Sequence, residues 1–151
     1  MAPKFVVLDT SAVSELIDDQ RPGHPAASRG LERLAAELPL DAIVVPTLVV
    51  YEIRRGLIHS NSERRRLRFE QFLRAFAFVD DFDEESAEAA ASLWAQRRAA
   101  GLTAGEMDLM ILASAVALQA ELVTEDTGFP TAPGVTLLRW ADVLSRPAQS
   151  N

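Results

Sequence analysis

Cysteine is absent from this chain of 151 residues, so neither a disulfide framework nor a thiolate metal site can form. That absence fits a reducing compartment. No apolar run approaches the roughly 20 residues that a membrane-spanning helix needs. No signal peptide is visible either, because Met1 to Lys4 lead directly into a predicted strand. The sequence therefore predicts a soluble, cytoplasmic protein.

Positive charge is also scarce. The net charge is −7 at pH 7, which argues against a broad basic surface for binding nucleic acid. Seven of the 15 cationic residues lie between Arg54 and Arg74, whereas six acids lie between Asp80 and Glu88. Any contact with nucleic acid must therefore be local.

Short apolar runs alternate with amphipathic segments along the chain. The runs predict strands at 5–8, 41–45, 77–79, 121–124 and 134–138, and the segments between them have helical spacing of apolar residues. Strands that alternate with helices form a mainly parallel sheet covered on both faces. The predicted fold is an α/β protein, a three-layer α/β/α sandwich with a mainly parallel sheet of about five strands. We expect one domain over residues 1–145 and a flexible tail over 146–151.

Serine and threonine mark three predicted helix starts. Ser60-x-x-Glu63 and Thr103-x-x-Glu106 match the capping box, in which the first and fourth side chains satisfy free backbone N–H groups. Thr47 is the candidate cap of the third predicted helix.

Four acids are placed by this scaffold at one edge of the sheet. Two of them follow predicted strands, and the carboxyl ends of parallel strands form the edge where open α/β folds bind ligands. The other two lie five residues after the candidate caps Thr47 and Thr103, on helices whose N-termini open at the same edge. In chain order, the four acids are Asp9, Glu52, Asp108 and Asp126.

Asp108 gives the strongest single signal. It begins a stretch that is apolar on every side through Leu118, and a helix of that kind is buried. An unpaired buried carboxylate costs on the order of several kcal/mol, and no Lys or Arg lies within a turn. A cation is its natural partner. Oxygen ligands without Cys or a nearby His suit Mg²⁺, with Mn²⁺ as the alternative, and point to phosphodiester hydrolysis.

Four segments of the chain resemble the PIN-domain ribonucleases, most closely the toxins of VapBC-type toxin–antitoxin pairs. They are Val7 to Ser11, Tyr51 to Leu57, Asp108 to Ala115 and Leu122 to Phe129. The resemblance implies a Mg²⁺-dependent endoribonuclease whose catalytic and metal-binding residues are the four acids. It also implies a homodimer and a cognate antitoxin whose tail enters the cleft. An acidic pocket suits an inhibitor segment that carries arginine.

Further side chains are candidates for supporting roles. Thr10, Ser11 and Thr124 are candidate hydrogen-bond donors to the carboxylates. Arg54 and Arg55 lie near Glu52 in the sequence and are candidates for contact with RNA phosphates.

The chain departs from the family pattern at three positions. Ser11 stands where the family often has Asn, so its hydroxyl has to orient the site. Glu125 stands where a basic residue is common, which weakens RNA contact or brings a fifth acid near the metal. Gly128 replaces a frequent Asp, which leaves Asp126 alone to supply the fourth carboxylate.

Each acid also has a purely structural interpretation. Asp9 caps a helix, Glu52 pairs with Arg55, Asp108 favours a helix dipole, and Asp126 forms a turn. Two further acids, Glu15 and Glu106, are candidates for completing the site, but a solvated helix face and a capping box account for them as well. The sequence leaves open whether the site holds one metal ion or two.

Two other functions compete with the nuclease interpretation, one of a phosphoryl-transfer protein and one of a binding module. A phosphatase or a receiver domain also places Asp after the first strand, but Ser11 stands where a phosphatase has a second Asp, and Lys4 is the only lysine. The stronger rival is a catalytically silent module that keeps the fold and acts through a protein partner.

Overall fold

The computed structural model of the protein describes residues 5–148. Its strands are β1 (Val6–Leu8), β2 (Ile43–Pro46), β3 (Phe78–Asp80), β4 (Glu121–Val123) and β5 (Leu137–Leu138). Its helices are α1 (Thr10–Ile17), α2 (His24–Glu37), α3 (Thr47–Ser60), α4 (Glu63–Ala75), α5 (Glu84–Ala99), α6 (Glu106–Leu118) and α7 (Trp140–Ser145).

The five strands form one parallel sheet in the order β3-β2-β1-β4-β5. The predicted sandwich and its parallel sheet are confirmed. Because β1 has a strand on each side and helices above and below, all three of its residues are fully buried, which explains its unbroken apolar run. The strand order reverses between β1 and β4, and this is the point where such sheets form a crevice at their carboxyl edge.

Each of the seven helices packs against at least one other helix around this sheet. The most extensive helix–helix contacts are those of α5 with α6 and of α2 with α7, and α1 packs against α2, α3 and α4. Helix α6 also contacts β1 and β4, and it is buried through its middle because it lies over the strands that flank the crevice. That position explains why the sequence of α6 is apolar on every side.

Both capping-box predictions are wrong. Ser60 is the last residue of α3, which ends at Asn61 in a left-handed conformation with φ 51°. The chain then becomes extended at Ser62, whose side chain accepts a hydrogen bond from the Arg65 N–H and caps α4. Thr103 lies in the connection that follows α5, and α6 begins only at Glu106, after Gly105.

The candidate cap Thr47 is wrong as well. Thr47 is the first residue of α3. Its hydroxyl lies 2.9 Å from both the Asp80 carbonyl oxygen and Asp81 Oδ1, which share its single proton. It therefore fastens α3 to the end of β3 instead of capping its own helix. Strand β5 is shorter than predicted because Gly134 forms a turn with φ 82°.

The terminal predictions fall partly outside the described residues. Residues 1–4, which bear on the signal peptide, lie outside them, as do residues 149–151 of the predicted tail. Within that tail, Arg146 Nη1 donates to Glu121 Oε1 at 2.9 Å, and the Arg146 carbonyl accepts from Arg33. Among residues 5–148, no helix is both long and apolar enough to cross a membrane.

We expect Gly30→Ala to destabilise the protein. Gly30 of α2 lies against the Trp140 ring of α7, and a Cβ at this position would be 2.5 Å from Trp140 Cε3. Forcing extra volume into a packed contact costs about 1–3 kcal/mol, which exceeds the roughly 1 kcal/mol that alanine gains over glycine in a helix. The matched control is Gly56→Ala in α3, where no atom lies within 4 Å of the added Cβ. Urea unfolding should show Gly30→Ala less stable and Gly56→Ala more stable than the wild type, and the opposite order would contradict this packing.

Candidate acidic site

Asp9 lies at the end of β1 and is almost completely buried, with 3% of its surface exposed. Its Oδ1 accepts hydrogen bonds from the Ala12 N–H at 2.9 Å and from Ser11 Oγ at 2.8 Å. Its Oδ2 accepts from Thr124 Oγ1 at 2.5 Å. Asp9 is therefore the N-cap of α1 and also the most deeply placed acid of the crevice, so its structural and site interpretations coincide.

Burial raises the pKa of Asp9 above its usual value. The hydrogen bonds from Thr124, Ala12 and Ser11 act in the opposite direction, since they support the ionised carboxylate, whereas the charge of Asp108 raises the pKa further. Burial prevails, so the pKa remains raised. A cation beside Asp9 would favour the ionised form and remove this penalty.

Two hydroxyls are oriented towards Asp9 by backbone N–H groups. Ser11 Oγ accepts from the Glu125 N–H at 2.8 Å, and Thr124 Oγ1 accepts from the Asp126 N–H at 3.1 Å. A hydroxyl has a single proton, and each of these hydroxyls directs it to an Asp9 oxygen. Two of the three predicted donors, Ser11 and Thr124, thus both donate to Asp9.

Glu52 projects from α3 and is held by the start of α1. Thr10 Oγ1 donates to Glu52 Oε1 at 2.6 Å, so the third predicted donor serves Glu52. Arg55 Nη2 lies 3.8 Å from Glu52 Oε2, and its side chain is 61% exposed. A long, exposed ion pair of this kind contributes little stability, so pairing with Arg55 does not by itself account for Glu52.

Asp108 is the third residue of α6 and lies among the other acids. Burial is the main cause that raises the pKa of Asp108, and the charges of Asp126 and Glu52 raise it further. Because Asp108 also raises the pKa of Asp9, it interacts electrostatically with all three of the other predicted site acids. The charge coupling among the four carboxylates therefore runs through Asp108.

Asp126 lies in an exposed turn after β4. Its Oδ1 accepts from the Gly128 N–H at 2.8 Å, and its carbonyl accepts from the Phe129 N–H at 3.2 Å. The turn-forming interpretation therefore holds, and it coexists with the effect of its charge on Asp108.

The three additional acids have contacts or surroundings of their own. Glu125 directs both carboxylate oxygens to the start of α7, so it is not a fifth acid of the site. Glu106 is exposed at the start of α6 and lines a cavity with Trp94, and Glu15 lies 3.6 Å from Arg21.

Two cavities open beside the acids. One, of about 160 Å³, is lined by Thr10 and Glu52 among others. The other, of about 250 Å³, is lined by Thr124 and Asp126 and extends along β5. Glu52 and Asp126 are therefore each accessible from a cavity of their own.

The donor set suits a hard cation. Within residues 5–148, no three acidic or histidine side chains come close enough together to enclose a metal ion directly. Mg²⁺ does not require such a triad, because it binds through one or two carboxylates and keeps waters or substrate phosphates as its other ligands. Asp9 accepts three hydrogen bonds where a carboxylate offers about four lone-pair positions, so it retains a free one for an ion.

These features define a parallel α/β protein with an acidic site where the strand order reverses. The family model described as the PIN domain matches residues 6–135. The chain belongs to the PIN domain family.

Solved structures share this fold at low sequence identity. VapBC2 from Rickettsia felis, bound to a DNA fragment from its promoter, has a TM-score of 0.76 and 24% identity and covers 90% of this chain and 98% of its own. VapBC-5 from Mycobacterium tuberculosis, a member of the VapBC family of toxin–antitoxin systems, has a TM-score of 0.64 and 22% identity. The match covers 91% of this chain and 99% of the VapBC-5 chain. VapC20 from the same organism, a sarcin-ricin loop cleaving toxin, has a TM-score of 0.63 and 17% identity, and the match covers 82% of this chain and 92% of the VapC20 chain. A comparison with curated protein sequences gave no match.

Proposed function

We propose that the protein is a Mg²⁺-dependent endoribonuclease that acts in the cytoplasm as the toxin of a type II toxin–antitoxin pair. The observation that carries this proposal is the position of Asp108, whose pKa is raised by burial and by the charges of two neighbouring acids. Such an arrangement is unfavourable in isolation and becomes favourable when a cation binds. Membership of the PIN domain family supports a nuclease.

In this mechanism Asp9 and Asp108 would hold the ion, and Glu52 and Asp126 would complete the acidic surface around it. A bound Mg²⁺ would lower the pKa of a water molecule and offset charge on the phosphoryl oxygens. Ser11 and Thr124 keep Asp9 in place through their hydrogen bonds, and Thr10 does the same for Glu52. Hydrolysis by a water molecule would leave a 5′-phosphate and a 3′-hydroxyl.

The partner proposals are a cognate antitoxin and a second copy of the chain. They are supported by the resemblance to VapBC toxins and by the toxin–antitoxin systems among the structures with the same fold. Both partners need exposed apolar surface, and Trp94 and Leu102, 45% and 53% exposed, line a cavity of about 530 Å³. The acidic site itself would accept an arginine of the antitoxin.

We expect Arg55→Ala to weaken RNA binding and Arg54→Ala to have a smaller effect. Arg55 is exposed beside Glu52, whereas Arg54 is engaged by Glu70 at 2.5 Å and lies over the Phe69 ring. Loss of one phosphate contact reduces the slope of log affinity against log salt by about 0.7 for single-stranded RNA. RNA binding at several salt concentrations, with Ca²⁺ in place of Mg²⁺, measures this slope. Equal slopes for wild type and Arg55→Ala would contradict a phosphate contact at Arg55.

The function is tested by incubating the purified protein with a mixture of cellular RNAs. We expect cleavage with Mg²⁺, no cleavage after chelation, and restored cleavage when Mg²⁺ or Mn²⁺ is added back. Products should carry a 5′-phosphate. Cleavage that proceeds equally fast with and without chelator would exclude the proposed mechanism.

A catalytically silent PIN module remains the second candidate. It is favoured by the absence, among the described residues, of three side chains close enough to enclose an ion. Thermal unfolding with Mg²⁺ or Mn²⁺ distinguishes the two candidates, because an ion at 100-fold excess over its Kd stabilises the folded state by about 2.7 kcal/mol. No shift in unfolding temperature with either ion would favour the silent module.

A further inference from the structure

Glu125 connects the acidic site to the last helix. Both oxygens of its side chain, which is 22% exposed, are engaged by α7. Oε1 accepts from the Trp140 N–H at 2.8 Å, and Oε2 accepts from Arg139 Nε at 3.1 Å. The first N–H groups of a helix have no partner within the helix, so Glu125 supplies an acceptor that α7 needs.

The backbone of Glu125 lies on the opposite side, against the site. Its N–H donates to Ser11 Oγ at 2.8 Å, and the next N–H, that of Asp126, donates to Thr124 Oγ1 at 3.1 Å. With these positions occupied, both hydroxyls donate their single proton to Asp9. The loop that contains Glu125 thus sets the direction of both side-chain hydrogen bonds to Asp9.

Helix α7 is itself fixed relative to Asp9. The Trp140 side chain is 1% exposed, and its Nε1 donates to the Ala12 carbonyl at 3.2 Å. The N–H of the same Ala12 donates to Asp9 Oδ1 at 2.9 Å. Starting from Asp9, the contacts therefore run through Ala12 to Trp140, from Trp140 to Glu125, and from Glu125 through Ser11 back to Asp9.

We propose that Glu125 is a positioning residue: by binding the start of α7, it holds the loop after β4 in the conformation that orients Ser11 and Thr124 on Asp9. The proposal rests on the proposed function insofar as Asp9 is a ligand of the ion. Engagement by Arg139 and the Trp140 N–H also keeps the Glu125 carboxylate from competing for that ion. The Glu125 side chain therefore lies next to the acidic site without being one of its ligands.

The test compares Glu125→Ala with Glu125→Gln and with a matched control, Glu121→Ala. Glutamine keeps an oxygen that can accept from the Trp140 N–H, so it should rescue the defect. Glu121 is the first residue of β4. Like Glu125 it contacts the C-terminal region, through Arg146 at 2.9 Å, but it has no hydrogen bond to the acidic site. Glu125→Asp provides a second variant that retains the charge but is one methylene too short, in case Glu125→Ala does not fold.

Two readouts apply, and neither requires catalysis. The first is hydrogen exchange of the Glu125 and Asp126 amides in the full-length protein without metal. The second is the dissociation constant for Mn²⁺ alone, measured by titration. Loss of a group that orients a metal ligand typically weakens metal binding roughly 10- to 100-fold, so we expect at least about a tenfold weaker Mn²⁺ affinity and faster exchange for Glu125→Ala and Glu125→Asp. Glu125→Gln and Glu121→Ala should bind Mn²⁺ with a dissociation constant within about threefold of the wild-type value.

Unchanged amide exchange and Mn²⁺ affinity in Glu125→Ala would overturn the proposal, as would an equal loss in Glu121→Ala. Failure of the proposed function would give a different result. The wild-type protein would then bind Mn²⁺ without cleaving RNA, or would not bind Mn²⁺ at all. The amide exchange rates would still measure the positioning role of Glu125.

Discussion

Asp108→Asn is expected to abolish metal-dependent RNA cleavage while making the metal-free protein more stable. Burial and two neighbouring charges raise the pKa of Asp108 in the folded state, so ionising it opposes folding. Asparagine removes that charge and leaves a side chain of the same shape. We expect cleavage to fall more than about 100-fold, since even the residues that orient metal ligands are worth roughly 10- to 100-fold.

The pH dependence of this effect has a definite sign. The folded protein binds the Asp108 proton more tightly than the unfolded chain does. Stability therefore falls as pH rises from the ordinary aspartate pKa of 3.8 through the raised pKa in the folded state. The stability gained by Asp108→Asn should therefore be small in acid and reach its full value above that window. Urea unfolding in the presence of a chelator measures it, with Glu88→Gln on the exposed side of α5 as the control. A stability loss at neutral pH would show that Asp108 has a stabilising partner instead.

Asp9→Asn is expected to lose cleavage to a similar extent but to remain folded, whereas Asp9→Ala should lose cleavage and also be clearly less stable. The asparagine oxygen can still accept from the Ala12 N–H, which preserves the N-cap of α1. Alanine removes the cap, at about 0.5–2 kcal/mol, and leaves buried donors without an acceptor, at about 1–3 kcal/mol.

The two Asp9 variants separate structure from catalysis. Urea unfolding and RNA cleavage should be measured on the same preparations, with Mg²⁺ for cleavage and chelator for unfolding. We expect Asp9→Asn to be folded and more stable than Asp9→Ala, because it keeps one of the two acceptor oxygens, and to be without activity. An Asp9→Asn protein that cleaves RNA at the wild-type rate would mean that Asp9 is only a helix cap.

Local sequence patterns were sufficient to predict the sheet and the position of Asp9. A buried parallel strand requires an unbroken apolar run, and the acid that follows Phe5 to Leu8 has to emerge at its carboxyl end. The same reasoning placed Asp126 after β4. The catalytic and metal-binding roles of these acids remain predictions.

The helix starts were less predictable, because they depend on the path of the chain before each helix and on contacts with other elements. Ser60 and Ser62 are equally good caps in isolation, and only the left-handed turn at Asn61 selects Ser62. Asp108 was placed at the correct edge although its candidate cap, Thr103, was wrong, because the edge depends on the direction of α6 and not on its first residue. The link from Glu125 to Trp140 joins residues 15 apart, and nothing in either local pattern indicates it.

The central claim is that the four carboxylates form a metal site that cleaves RNA. It is tested most directly by the rate of RNA cleavage by wild type and Asp9→Asn, each stripped with chelator and then titrated with Mg²⁺. We expect stripped wild type to be inactive, its activity to return with Mg²⁺, and Asp9→Asn to stay inactive at Mg²⁺ concentrations that saturate the wild type. Cleavage by the stripped wild-type protein, or equal rates for the two proteins, would contradict it.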